Sequence, residues 1–230
     1  MTRLVVDKNI NSKLKNKLLK MGYELIYTTE NKKLLDGINC HPDMLLRPLE
    51  NRDIICDKEN IDYYKKYFEG YNLIETEKIL DKKYPLDVAL NFVTYNGYFI
   101  HNLSYTDKKV INYYKDRNYK FINVRQGYTK CNILIGKNSL ITSDDNIYNK
   151  LKEIFNILLI EHGQIVLRGF NYGFIGGASG FLDNKIMFTG DFKNHSSYKK
   201  MIEFLERNNE EYVILTDEPI EDYGSILEIR

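Results

Sequence analysis

Long apolar runs are absent from this chain, and so is any excess of one charge. No stretch approaches the roughly 20 apolar residues of a bilayer-crossing helix, and the N-terminal residues lack the basic, apolar, small-residue order of a secretory leader. A cytoplasmic protein with no membrane partner is the expectation. Lys and Arg number 33 against 32 Asp and Glu, with the two signs interspersed, which leaves no basic footprint for nucleic acid. The three cysteines, at 40, 56 and 131, are too few for a disulfide framework and suit a reducing compartment. The 4 prolines join no Gly- or Ser-rich linker, and no tract is of low complexity. With 43% hydrophobic residues, a single domain over 1–230 with a sizeable core is expected.

What is present is a repeat. Five times the chain writes two short apolar runs, a helix of about three turns and one more apolar run. In the third copy, residues 86–93 and 98–102 flank a Thr94-Tyr95-Asn96-Gly97 turn, Thr106 is placed to cap a helix carrying Val110, Ile111 and Tyr114, and residues 120–124 close the unit. The fourth runs from residue 131 to 160 around a Gly136-Lys137-Asn138 turn. The fifth runs from 174 to 215 around Asp183-Asn184, and the second from 44 to 74 around Glu50-Asn51-Arg52. The first copy lacks its opening strand, while residues 225–229 are a strand left over. Pairing that strand with residues 4–6 completes unit one and removes a free sheet edge. The fold class expected is α/β: a closed ring, a five-unit α/β propeller of strand-strand-helix-strand repeats with the N- and C-terminal strands paired.

Hairpin polarity then gathers the first-strand starts and second-strand ends at one mouth. These positions are His41 and Asp43, Asp87, Lys130 and Cys131, Gly176 and Gly177, Tyr223 and Ser225, together with Asp7, Asp57, His101, Asp144 and Asp191. Asp7, Asp57, Asp144 and Asp191 precede helices, where capping or turn formation accounts for a short carboxylate. His41-Pro42-Asp43 holds an imidazole and a carboxylate on one stiffened tripeptide: the first can shuttle protons, and the second can accept paired hydrogen bonds from a guanidinium. A surface turn would look the same. Cys131 beside Lys130 is either a nucleophile or a small buried hydrophobe at a strand head. The glycine-dense stretch 172–180 lacks a Gly-Lys-Ser/Thr ending and runs into a hairpin, so it is not a phosphate loop. Tight packing at the axis and backbone approach by a ligand both remain open for it. Cys40, His41, Asp43, His101 and Cys131 offer metal-binding atoms without metal-binding spacing, so no metal or cofactor is expected. Two long irregular stretches, 28–42 and 161–172, are functional loops or plain connectors.

Five such units about a pseudo-fivefold axis resemble the pentein fold of the guanidino-modifying enzyme superfamily: arginine deiminases, amidinotransferases and dimethylargininases, together with an uncharacterised bacterial group of similar size. His41-x-Asp43 is similar to that superfamily's H-x-D pair, in which His is the general acid/base and Asp binds the guanidinium. The pair opens unit two here, whereas in the enzymes it falls late, and no cysteine stands where the family places its nucleophile. The resemblance implies a hydrolase or amidinotransferase acting on an arginine-like small molecule, with His41 catalytic and Asp43 binding substrate; convergence at the mouth, not matching position, adds Cys131 as the nucleophile and Asp87 or Asp191 as a further substrate-binding carboxylate. The alternative is a non-catalytic pentein that binds a cationic small molecule or a protein or ribosomal partner.

Overall fold

The computed structural model describes residues 2–229. Unit one is β1 (Arg3–Val6), α1 (Ser12–Lys20) and β2 (Glu24–Tyr27). Unit two is a single helical turn α2 (Pro42–Leu45), β3 (Leu46–Pro48), β4 (Asp53–Cys56), α3 (Ile61–Lys65) and β5 (Asn72–Glu75). Unit three is β6 (Val93–Tyr95), β7 (Tyr98–His101), α4 (Lys108–Lys115) and β8 (Lys120–Asn123). Unit four is α5 (Thr129–Asn132), β9 (Ile133–Ile135), β10 (Leu140–Thr142), α6 (Asp145–Leu151) and β11 (Ile157–Leu159). Unit five is β12 (Ser179–Leu182), β13 (Lys185–Phe188), α7 (Tyr198–Arg207) and β14 (Tyr212–Ile214), and the last strand is β15 (Leu227–Ile229). None of the described helices is long and apolar enough to cross a membrane.

Each unit builds one three-stranded sheet, its central strand antiparallel to the first and parallel to the third. The leftover strand completes unit one as expected: Arg3 faces Ile229, Leu4 faces Glu228 and Val5 faces Leu227. Hairpin turns follow from residues that tolerate positive φ. Asn96 and Gly97, and Asp183 and Asn184, sit there, the geometry that matches the twist of two-residue hairpins, and Asn51 and Arg52 do so in the longer turn between β3 and β4. Helices begin where a short polar side chain takes an orphan amide: Asn11 from Leu14 N at 2.8 Å, Asp107 from Lys109 N at 2.9 Å and Asp144 from Ile147 N at 2.8 Å. Asp107 therefore displaces Thr106 as the α4 cap. The Thr106 hydroxyl instead meets His101 Nδ1 at 2.7 Å.

The central strands are apolar on both faces because each serves two cores. Val5 packs with unit two while Leu4 and Val6 pack with unit five; Ile55 turns to unit three while Ile54 and Cys56 turn to unit one. The same alternation splits Ile100 from Phe99, Leu140 from Ile141 and Met187 from Ile186 and Phe188. Five cores result, shared by units one and two, two and three, three and four, four and five, and five and one.

One systematic departure concerns where the first strands begin. Residues 44–45, 86–92, 131–132 and 174–178 are mostly apolar or small but are not strand: they form single helical turns and loops ahead of β3, β6, β9 and β12. Apart from exposed Leu86 and half-buried Phe174 these residues are buried, so their apolar character reports burial and carries no period of two.

Candidate functional site

The turns that precede the first strands meet one another through their main chains. Asp43 N donates to Gly224 O at 3.1 Å, Ser225 N to Gly177 O at 2.7 Å, Gly177 N to Cys131 O at 3.0 Å and Lys130 N to Asn91 O at 3.0 Å. The remaining junction, between units three and two, is made by Asn91 Nδ2 toward Met44 Sδ at 3.4 Å. The glycines at 176 and 177 are required by this crowding. A Cβ on Gly176 would stand 2.2 Å from Lys130 O, and one on Gly177 would stand 2.0 Å from Asp222 Oδ1.

From this floor the functional side chains rise. Cys131 Sγ donates to Asp43 Oδ2 at 3.3 Å and accepts from Asn91 Nδ2 at 3.1 Å. Ser225 Oγ donates to the same Asp43 oxygen at 2.9 Å while accepting from Lys130 Nζ at 2.8 Å, and Lys130 also reaches Gly176 O at 3.1 Å. Lysine, serine, aspartate and cysteine from three units thus form one hydrogen-bonded chain. His41 lies between two carboxylates, its Nε2 3.9 Å from Asp7 Oδ2 and its Nδ1 3.8 Å from Asp222 Oδ1. Asp222 is held by Phe174 N and Gly224 N, each at 2.9 Å.

Burial governs the ionisation here. Desolvation pushes the Cys131 thiol well above its ordinary value, and the charges of Asp43 and Asp222 push it further the same way. Burial likewise raises the Asp222 carboxyl, against the pull of His41, and raises Asp7. Burial lowers the Lys130 ammonium to about 8, with Asp43 opposing the shift.

His41, Cys131 and Asp222 open on one cavity of about 250 Å³. Its walls are aromatic and aliphatic: Tyr128, Phe170, Tyr172 and Phe174 together with Ile38, Met44 and Leu167. Both long irregular stretches supply this wall, the first through Ile38 and His41 and the second through Leu167, Phe170, Asn171 and Tyr172. They also pack on each other, since a Cβ on Gly37 would meet Arg168 O at 2.4 Å and the Phe170 ring at 3.0 Å.

Of the five residues singled out in the sequence, four are thus brought together. His41 and Cys131 line the cavity, Asp43 binds the thiol, and Asp87 stands behind Tyr128, whose hydroxyl donates to its Oδ2. Two buried carboxylate oxygens that find no donor among the described residues, Asp43 Oδ1 and Asp87 Oδ1, belong to this group. Asp191 is not brought there. It takes Lys193 N at 2.8 Å in a turn and pairs with the Lys193 ammonium at 3.0 Å. A local turn holds this carboxylate at the surface, so the substrate-binding assignment of Asp191 is withdrawn. Asp7 and Asp144 also make the local bonds of turn and cap. His101 is structural, with both ring nitrogens engaged by Thr106 and by Gly127 O at 2.8 Å and its ring held neutral by burial, its pKa lowered to about 3. Asp222 and Asn91 are functional candidates that the sequence reading passed over. Asp222 occupies the same pre-strand position in unit one as His41-x-Asp43 in unit two, and that equivalence was a signal for it. Among the described residues no group of three or more His, Cys, Asp and Glu side chains is arranged to hold a metal ion.

Solved structures share this architecture. A dimethylarginine dimethylaminohydrolase covers 99% of the chain and is itself covered over 100% of its length, with a TM-score of 0.60 at 8% identity. An amidinotransferase of saxitoxin biosynthesis from Microseira wollei matches with a TM-score of 0.59 at 11% identity, covering 95% of this chain and 79% of its own. An inosamine-phosphate amidinotransferase from Streptomyces griseus gives 0.53 at 12%, covering 94% and 78%. At such identities the likeness is one of fold alone: the chain has the pentein-like fold of these solved structures. No curated protein matches the sequence. A family profile does, over residues 5–227, and the chain belongs to that family, the family of unknown function DUF6873.

Proposed function

We propose that the protein binds a small guanidino compound in the His41–Cys131–Asp222 cavity and hydrolyses it through a covalent thiouronium intermediate. The carrying observation is that a thiol, an imidazole and a carboxylate open on one aromatic-walled cavity. Aromatic faces favour a planar cation, and buried carboxylates with vacant lone pairs favour a guanidinium donor. In this reading the five units, joined core to core, close into a ring, residues 1–230 act as one domain, and the cavity is its mouth.

The chemistry follows from the groups present. Cys131 gives its proton to His41 as Sγ bonds to the guanidino carbon. The resulting tetrahedral adduct collapses with loss of one amine, which takes the proton from His41. Water, deprotonated by His41, then attacks the thiouronium carbon; the C–S bond breaks, the urea-type product leaves, and the thiolate regains the proton. A bound cation beside Asp43 and Asp222 offsets the negative charge that holds the thiol protonated, so substrate itself favours the nucleophile. No metal or cofactor enters this scheme.

A second reading, binding without turnover, is favoured by the same burial, because in the free protein the thiol is protonated and donates to Asp43. Titration calorimetry with arginine and methylated arginines, followed by assay for released amine and urea-type product, separates the two. Binding with product release lost in Cys131→Ser supports hydrolysis, and binding alone supports the second reading. Absence of both refutes the guanidino assignment.

A further inference from the structure

A second cavity, also of about 250 Å³, is lined by β3, β4 and the turn between them, by β12 and β15, by Tyr71, and by Ile135 of β9. Two buried cations line it, Arg47 from β3 and Lys130 from α5, only 7% and 6% exposed. Neither has a carboxylate within ion-pairing distance among the described residues. Arg47 lies over the Phe92 ring at 4.7 Å, and its Nε and Nη1 have no acceptor among the described residues. Lys130 bonds directly only to the neutral oxygens of Gly176 and Ser225, and the nearest carboxylate, Asp43, is reached through the Ser225 hydroxyl. A guanidinium does not shed its charge on burial, so an unpaired one is strongly destabilising unless something compensates it. Arg52 borders the same cavity, over the Tyr71 ring at 5.7 Å. The wall also carries Asp53 and Glu228, and Asp53 is already engaged by Asn72 Nδ2 at 2.7 Å and Tyr113 OH at 2.9 Å.

We propose that this cavity is a site for a small oxyanion, the phosphate or carboxylate group of a small molecule, held between Arg47 and Lys130. Arg47 brings a guanidinium with unfilled hydrogen-bonding capacity to this wall, and the charge of such a group would add to that of Asp43 in compensating both cations. The volume falls below the roughly 300 Å³ at which drug-sized pockets begin, which restricts the ligand to a compact anion.

The test titrates the full chain with inorganic phosphate and, separately, with malonate, at ionic strength matched with chloride, reading calorimetric affinity and the thermal midpoint. Saturable binding of phosphate alone assigns a phosphate group, of malonate alone a carboxylate, and of both a general oxyanion site. Arg47→Met should weaken the bound anion at least ten-fold. Should that variant fail to fold, Lys130→Met and Arg52→Ala carry the test, and a several-fold loss in Lys130→Met is required. Neither anion binding beyond chloride, or unchanged affinity in the cation variants that fold, overturns the proposal. Cys131 alkylation by guanidinium-like reagents reports the other cavity, so failure of one site is distinguishable from failure of the other.

Discussion

Replacing Asp43 by Asn should move Cys131 reactivity in opposite directions for neutral and for cationic reagents. The Asp43 carboxylate lies 3.3 Å from Sγ and is one cause of the raised thiol pKa. Two charges about 4 Å apart interact by about 1 kcal/mol in water and about 4 kcal/mol at an effective dielectric of about 20. At about 1.4 kcal/mol per unit, removing this charge lowers the thiol pKa by about one to three units. A thiolate of lower pKa is also a weaker nucleophile, with a Brønsted slope near 0.5, so about half of that gain survives in rate. At neutral pH iodoacetamide should therefore alkylate Cys131 of Asp43→Asn roughly 3- to 30-fold faster than the native protein. Chloroacetamidine, which carries a guanidinium-like charge, loses the attraction of Asp43 and should be slower relative to iodoacetamide by at least about ten-fold, one unit of that same Coulomb energy. Peptide mass analysis assigns the label, with Cys40 and Cys56 as buried internal controls. Equal changes for both reagents would show that Asp43 acts on the thiol alone and does not attract the ligand, which would sink the guanidinium reading.

Gly224 sits at φ +65°, and a Cβ there would stand 2.2 Å from the His41 Cβ. Gly224→Ala should displace His41 and abolish ligand binding by calorimetry, with a stability loss of order 1 kcal/mol or more in urea titration. Lys130 has a folded pKa of about 8 against an ordinary 10.5, so between those values the unfolded chain holds more protons and its contribution to stability rises with pH. The stability of the native protein relative to Lys130→Met should accordingly improve by on the order of 3 kcal/mol from pH 8 to 10.5, and a flat difference would contradict the lowered pKa of the buried lysine.

Hairpin turns, helix faces and the pairing of the chain ends were legible in the sequence because each is a short-range device. Asn96-Gly97, Asp183-Asn184 and Asn51 are residues that take positive φ readily. An opening strand missing at one end and left over at the other has one economical solution, seen in the Leu4 to Glu228 register. His41, Asp43 and Cys131 could be nominated from the same repeat, since equivalent positions in equivalent units converge.

The rest depended on distances that no local pattern encodes. Whether Cys131 bonds to Asp43 or merely shares its level is decided by the turns α2 and α5, which look like strand in the sequence because they are buried on every side. Asp191 and Asp222 are both carboxylates near predicted strand edges. One is retained at the surface by Lys193, and the other is drawn beneath His41 by the amides of Phe174 and Gly224. Sequence specified the repeating units and their ends through local backbone preference; only the packing of those units on one another chose which ionisable groups lose water together, and burial is what gives them unusual chemistry.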